Sequence, residues 1–202
     1  NGKVYNESLE VRRTMVLRAA VYKQGMLPSR VETHTYVYNL GNSVTSLPML
    51  SLVTERSNLW GRTGIMETSP RNTTKRGIAW ERPVSMELIY PDTGETLHAN
   101  AGLRVQGGAY IRGRYNPNSG PPAGKYSFRL YFRGDYGLGR LRYPFFPDLQ
   151  VEDFNHIVLR AGMNDHTNPF IIDELVRRLA ADMGQISARG TFMNLYLNGK
   201  LQ

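Results

Sequence analysis

The chain has 202 residues, 41% of them hydrophobic, with 20 Gly and 11 Pro, an ordinary globular composition that excludes fibrous and disordered classes. No apolar run reaches the about 18 residues of a membrane helix, and the lack of Cys excludes disulfides and thiolate metal sites. Basic residues number 25 and acidic ones 17, a net charge of +8, and Arg is much commoner than Lys, which suits phosphate and carboxylate partners.

The chain opens at Asn1 without the charged segment and apolar run of a signal peptide, so a processed chain or an excised fragment is expected. Thr14 to Tyr38 is the first structured stretch. Val11 to Val21 is compatible with a helix as well as a strand, but the Gln24-Gly25 turn and the β-rich Thr33 to Tyr38 favour a hairpin. Val31, Thr33, Thr35 and Val37 would share one face and Glu32, His34, Tyr36 and Tyr38 the other, which makes His34 a surface strand residue. Leu40 to Ser46 reads as a loop and a domain boundary.

Leu47 to Thr54 is a short buried strand, and Asn58 to Gly64 a turn. Pro83 to Tyr90 is a strand with Val84, Met86, Leu88 and Tyr90 on one face, closed by the turn Pro91-Asp92-Thr93-Gly94. Ala101 to Gln106 is a strand broken by Gly107-Gly108. Tyr126 to Phe132 follows as a strand, with Tyr126, Phe128, Leu130 and Phe132 alternating with Ser127, Arg129, Tyr131 and Arg133, and Phe154 to Ala161 is again a strand. One helix is clear, about 169–183: Ile172, Leu175, Val176, Leu179 and Met183 form a stripe at helical spacing. Asn168 would cap it, Pro169 would sit in its first turn and Gly184 would end it. Thr191 to Leu197 is the last strand. Asn198-Gly199 is its hairpin turn, and the partner strand is expected to begin where the chain stops, at Gln202. The fold class is therefore α+β, rich in antiparallel strands.

The four histidines, His34, His98, His156 and His166, show no metal-ligand spacing, and no hydrolase or P-loop motif is present. Asn164-Asp165-His166 reads as a capping loop before the helix. The informative segment is basic. Between Gly102 and Arg142 stand eight Arg or Lys against the single acid Asp135, so a net +7 concentrates on what reads as one hairpin, a pattern that suits an anionic partner. Within it, a strand bearing Arg104 runs into Gly107-Gly108, then a basic loop, then a strand opened by Lys125. Glycines let backbone N–H groups approach phosphate oxygens, and a lysine on the following strand can hold them as a point charge. That logic operates in kinases, where a helix glutamate fixes the lysine. Glu174 lies opposite the apolar stripe of the helix, so spacing alone makes it a surface residue paired with Arg178, with Asp173 as the rival for an inward role.

Five blocks in one order, LPMLSLVTERSNLWG, GIAWERPVSMELIYPD, AGLRVQGGAYIRG, KYSFRLYFRGDYG…LRYPFFPD and LVRRLAADMGQISARGTFMNLYLNGK, resemble the CotH-type spore-coat protein kinase family from about Leu47 to Lys200. Thr14 to Tyr38 looks like the last strands of a chitobiase/hexosaminidase C-terminal-type β-sandwich module. The resemblance implies residues 1–40 as the end of that sandwich and 47–202 as a kinase-like N-terminal lobe without its catalytic lobe. It further implies an atypical bacterial protein kinase, secreted or at the cell surface, that uses ATP with Mg or Mn to phosphorylate protein Ser. Carried over by position, Gly107 and Gly108 match the family's glycine turn, Lys125 its lysine and Glu174 or Asp173 its helix acid. Gly107, Gly108, Lys125 and Glu174, with Arg104 on the preceding strand, would bind the cofactor, and the catalytic and metal-binding aspartates are expected beyond Gln202, so the chain alone is expected to be inactive. The insert Tyr115 to Gly124 departs from the family pattern, as does Lys200-Leu201-Gln202. Two other readings stand beside it. One is a non-catalytic surface or matrix component that binds a protein or glycan through Trp60, Trp80 and the tyrosines. The other is nucleic-acid binding through Arg112, Arg114, Arg129 and Arg133 interleaved with Tyr110, Tyr115 and Tyr131.

Overall fold

Period-two alternation and tight turns build most of the molecule. The computed structural model describes residues 2–38, 46–107, 126–146, 149–162 and 171–202. Strands β1 (Met15–Ala19) and β2 (Glu32–Tyr36) pair antiparallel as a two-stranded ribbon, with Val16 opposite Thr35 and Leu17 opposite His34. The turn near Gln24-Gly25 is present, closed by the Met26 N–H donating to the Lys23 carbonyl at 3.1 Å. Thr33 and Thr35 are buried while Glu32, His34 and Tyr36 are exposed, the face assignment expected from alternation.

The main element is a seven-stranded sheet in the order β11-β10-β3-β4-β5-β6-β9. Its members are β3 (Met49–Val53), β4 (Arg82–Ile89), β5 (Thr96–Val105), β6 (Phe128–Tyr131), β9 (His156–Leu159), β10 (Asn194–Leu197) and β11 (Lys200–Leu201). All pairings are antiparallel except β10 with β3. A two-residue ribbon, β7 (Leu141–Arg142) with β8 (Asp153–Phe154), stands apart from it. A short helix α1 (Arg56–Leu59) occupies part of the expected Asn58–Gly64 turn. The longer helix α2 (Ile172–Asp182) lies within the expected span. The molecule is thus a mixed α+β fold dominated by sheet.

Register and alternation sort the sheet into two unlike faces. Leu195 and Leu197 of β10, Leu50 and Leu52, Val84, Met86 and Leu88, Ala101 and Leu103, and Phe128 and Leu130 fall on one face by their pairings. These residues join a single core with Leu59, Ile65, Met66 and Leu141. Leu52, Leu88, Ala101, Leu103 and Leu130 are 0% exposed, and each such Leu contributes about 1.5–3 kcal/mol of burial free energy. The opposite face is polar: Ser51, Glu87 and His98 lie in one row across β3, β4 and β5, and Arg104 and Arg129 face each other across β5 and β6. The β1–β2 ribbon covers the β3 and β4 end of this face. Its Thr35 N–H donates to Glu87 Oε2 at 2.7 Å and its Thr35 Oγ1 to Ser51 Oγ at 2.7 Å. Strand β3, buried along its whole length, is therefore covered on both sides, which is why it reads as a nearly unbroken apolar run.

Three expectations are corrected here. The partner of the last strand lies inside the chain, because Asn198 (φ 49°) and Gly199 (φ 77°) form a two-residue turn that puts Leu197 opposite Lys200. The expected strand Phe154 to Ala161 is divided, since Asp153–Phe154 pairs with β7 and His156–Leu159 with β6. The basic residues between Gly102 and Arg142 do not share one hairpin: Arg104 and Arg129 lie in the β5–β6 pair, but Arg142 is in β7 and Arg140 bonds Asp153 at 2.8 Å.

Gly184 (φ 81°) ends α2 as expected. Its N–H donates to Ala181 O and that of Gln185 to Ala180 O, both at 2.9 Å, the paired bonds of a Schellman cap. Asn168 and Pro169, expected to open the helix, lie outside the described residues. No helix among the described residues is long and apolar enough to cross a membrane.

Candidate functional site

The basic end of the polar face is built by strands β5 and β6. In-register pairing sets Arg104 opposite Arg129, and Gly102 opposite Tyr131. Like charges placed directly opposite on a sheet repel, so this pair requires a compensating group. The Arg104 guanidinium lies over the Tyr131 ring, 4.9 Å from its centroid, and its Nη2 donates to the Tyr131 hydroxyl. The Nε atoms of both Arg104 and Arg129 are buried and lack a hydrogen-bond partner among the described residues. A buried, unpaired guanidinium N–H is costly, and an anion is the natural partner for two of them side by side.

Gly107 stands at the end of β5 with φ 113°, a backbone conformation open to glycine and strained for other residues. Its carbonyl accepts from Arg76 Nη2 at 3.0 Å, and Arg76 Nη1 also donates to the carbonyls of Thr74 (2.8 Å) and Lys75 (3.0 Å). Burial, then the nearby charge of Arg104, holds the Arg76 guanidinium below its ordinary pKa. A third arginine thus adds to the positive field beside the glycine turn, a residue that sequence reading did not single out.

Arg133 is different, although it too lies over Tyr131, 5.1 Å from the centroid. Its Nε and Nη2 donate to Glu81 Oε2 and Oε1 at 3.0 and 3.1 Å, so its charge is already matched. The Tyr136 hydroxyl donates to the same Glu81 at 3.3 Å. Burial first, and then the Glu81 charge, push the Tyr136 phenol up to about 12. Gly102 has no side chain because the Tyr136 ring and Glu81 occupy that space. Beside Tyr131 and Arg133, a surface hollow of about 380 Å³ is completed by Phe132, Gly139, Asn155 and His156.

Of the expected cofactor residues, Arg104 lies at the end of β5 and Gly107 two residues past that strand, while Gly108 and Lys125 lie outside the described residues, as do Arg112, Arg114 and the loop Asn164-Asp165-His166. Glu174 departs from expectation. It is 7% exposed, whereas the apolar stripe is open to solvent, with Leu175 48%, Val176 57% and Leu179 53% exposed. The cause is a set of charge contacts. Glu174 accepts from Arg178 Nε at 2.9 Å and pairs with Arg177 at 3.0 Å, while Asp173 pairs with Arg177 at 2.8 Å and Arg160 at 3.1 Å. Arg178 Nη2 also donates to the Gly190 carbonyl at 3.3 Å, folding residues after the helix back over its charged side. The expected pairing with Arg178 is present; the expected surface position is not.

Sequence reading also missed a second juxtaposition on the polar face. His98 Nε2 lies 3.4 Å and His34 Nδ1 3.8 Å from Glu87 Oε1. The turn at Pro91 to Gly94 was a sufficient signal for half of it, because counting back from that turn sets Glu87 opposite His98. No family model, curated protein or solved structure matches the chain.

Proposed function

We propose that the chain binds the phosphate groups of a nucleotide at the Arg104–Arg129 end of the polar face, as the N-terminal lobe of a CotH-like, secreted atypical protein kinase that uses ATP with Mg or Mn. The single observation that carries this reading is the in-register Arg104–Arg129 pair, with two buried Nε–H groups that lack a partner among the described residues. The adjoining glycine at positive φ and the third guanidinium, Arg76, support it. Anion binding relieves the repulsion between the two arginines and satisfies both donors at once. The kinase assignment adds Lys125 as a second phosphate contact and Glu174, or its neighbour Asp173, as the acid that would fix it; the resemblance of the five sequence blocks supports that part.

The test is ATP-dependent stabilisation measured by thermal denaturation, with and without Mg²⁺ or Mn²⁺. ATP is expected to raise the melting temperature. Arg129→Gln is expected to abolish that rise while stabilising the ligand-free protein by about 0.5 kcal/mol, because it removes a like-charge pair. Lys125→Ala is expected to weaken ATP binding without the gain in ligand-free stability. Retention of the full ATP response in Arg129→Gln overturns the phosphate site. Loss in Arg129→Gln with an unchanged response in Lys125→Ala keeps the anion site and overturns the kinase-like lysine.

A further inference from the structure

We infer that His34, Glu87 and His98 bind one borderline divalent cation, with Zn²⁺ as the best fit, and that this ion clamps the β1–β2 ribbon to the main sheet. The three side chains come from three strands: His34 from β2, Glu87 from β4 and His98 from β5. One donor atom from each lies within 4.8 Å of the other two. Donor atoms around a tetrahedral zinc stand about 3.3 Å apart, given bonds of about 2.0–2.1 Å. The 3.4 Å between His98 Nε2 and Glu87 Oε1 meets that spacing, while the 3.8 Å from His34 Nδ1 and the gap of up to 4.8 Å between the two histidine donors close onto one ion by rotation of the exposed imidazoles.

The carboxylate is held for this task. Glu87 is buried, and its Oε2 is taken by the Thr35 N–H, which leaves Oε1 turned toward both imidazoles. A hydrogen bond to the non-ligating oxygen is the usual way a protein orients a monodentate carboxylate on a metal. The imidazole rings meet edge to face, 4.9 Å between centroids, and a nitrogen of each lies within 3.8 Å of the same carboxylate oxygen. The histidine side chains are 53% and 41% exposed, which gives an ion a path from solvent and room for water as a fourth ligand. Two imidazole nitrogens and one carboxylate oxygen favour zinc, copper or nickel over the hard cations magnesium and calcium.

The experiment is titration of the 202-residue chain with Co²⁺ and then Zn²⁺. One equivalent of Co²⁺ is expected to give the strong visible absorption of a four-coordinate ion, which one equivalent of Zn²⁺ abolishes. His34→Ala and His98→Ala are each expected to weaken binding at least about tenfold. His156→Ala, whose ring lies 6.4 Å from the Tyr131 ring elsewhere on the sheet, is expected to leave it unchanged. Glu87→Gln keeps an acceptor for the Thr35 N–H, so lost metal binding with an unchanged far-ultraviolet circular dichroism spectrum separates ligation from folding. Zn²⁺ is also expected to slow hydrogen exchange of the β1 and β2 amides, and to do so no longer in His34→Ala. Binding that survives in the His34→Ala/His98→Ala double variant overturns the site, as does a Co²⁺ spectrum of a six-coordinate, fully hydrated ion. If metal binds and the ribbon amides exchange at an unchanged rate, the clamp is overturned.

Discussion

Glu81 shows how one buried carboxylate organises its surroundings. Its side chain is 1% exposed, and two Arg133 donors and the Tyr136 hydroxyl satisfy it. Tyr136 cannot ionise cheaply beside it, because the phenolate would be buried next to an existing negative charge, and its pKa rises to about 12. Linkage fixes the sign of the consequence. Above the ordinary tyrosine pKa of about 10, the unfolded chain releases this proton while the folded chain retains it, so stability falls as pH rises from about 10 to about 12. Ultraviolet titration of tyrosinate is expected to lose one late-titrating group in Tyr136→Phe, and that variant's stability is expected to decline less over this window. Loss of a group that titrates near pH 10 instead would show that Tyr136 ionises normally.

At the scale of elements, helix α2 reverses its expected orientation. A stripe of Ile172, Leu175, Val176, Leu179 and Met183 ordinarily marks the buried side of a helix. Here Glu174 is on the protected side, and Gly190 lacks a side chain where one would collide with the Glu174 carboxylate. The measurable consequence is an inverted mutational profile in urea denaturation. Glu174→Ala is expected to cost about 1–3 kcal/mol, because Arg177 and Arg178 lose their shared acceptor in a part-buried setting. Leu175→Ala and Val176→Ala, on the exposed stripe, are expected to stay within about 0.5 kcal/mol. A Leu175→Ala cost equal to that of Glu174→Ala would restore the orientation drawn from spacing. The contrast marks what sequence could convey. Period-two alternation put Val84, Met86 and Leu88 on one face, and that face is the core side, because a strand in a sheet with one apolar face has a single way to bury them. The Asn198-Gly199 turn was legible for a similar local reason. Helix orientation depends on what covers each side, and the salt bridge from Arg160 to Asp173 joins residues that no local pattern connects.

At the scale of the whole molecule, the question is whether residues 1–40 behave as a module separate from the sheet. Composition divides the chain near Leu40, and among the described residues the ribbon shares no ladder with the seven strands. Two buried hydrogen bonds nevertheless cross that division, from the Thr35 N–H to Glu87 and from the Thr35 hydroxyl to Ser51, both at 2.7 Å. Glu87 is 6% and Ser51 1% exposed, so separation of the ribbon would uncover β3 and leave an acid and a hydroxyl to be solvated in a surface shaped for contact. The same contacts explain why the metal cluster escaped sequence reading. The Glu87–His98 half follows from one hairpin turn, whereas His34 arrives through a packing contact over more than fifty residues of chain. Two buried bonds of this kind contribute about 1–3 kcal/mol together, comparable to a sizeable share of the stability of a small domain. The ribbon and sheet are therefore expected to unfold in one transition. The Thr35 amide should exchange with solvent at the rate of the central β4 amides, and Glu87→Ala should accelerate it selectively by removing its acceptor. In a double-mutant cycle, Thr35→Val should cost about 1–2 kcal/mol by leaving the buried Ser51 hydroxyl without its donor, and Ser51→Ala added to it should recover part of that loss. Two resolved transitions, the first confined to the β1 and β2 amides, would establish the ribbon as an independent unit and make the cross-sheet bonds incidental to it.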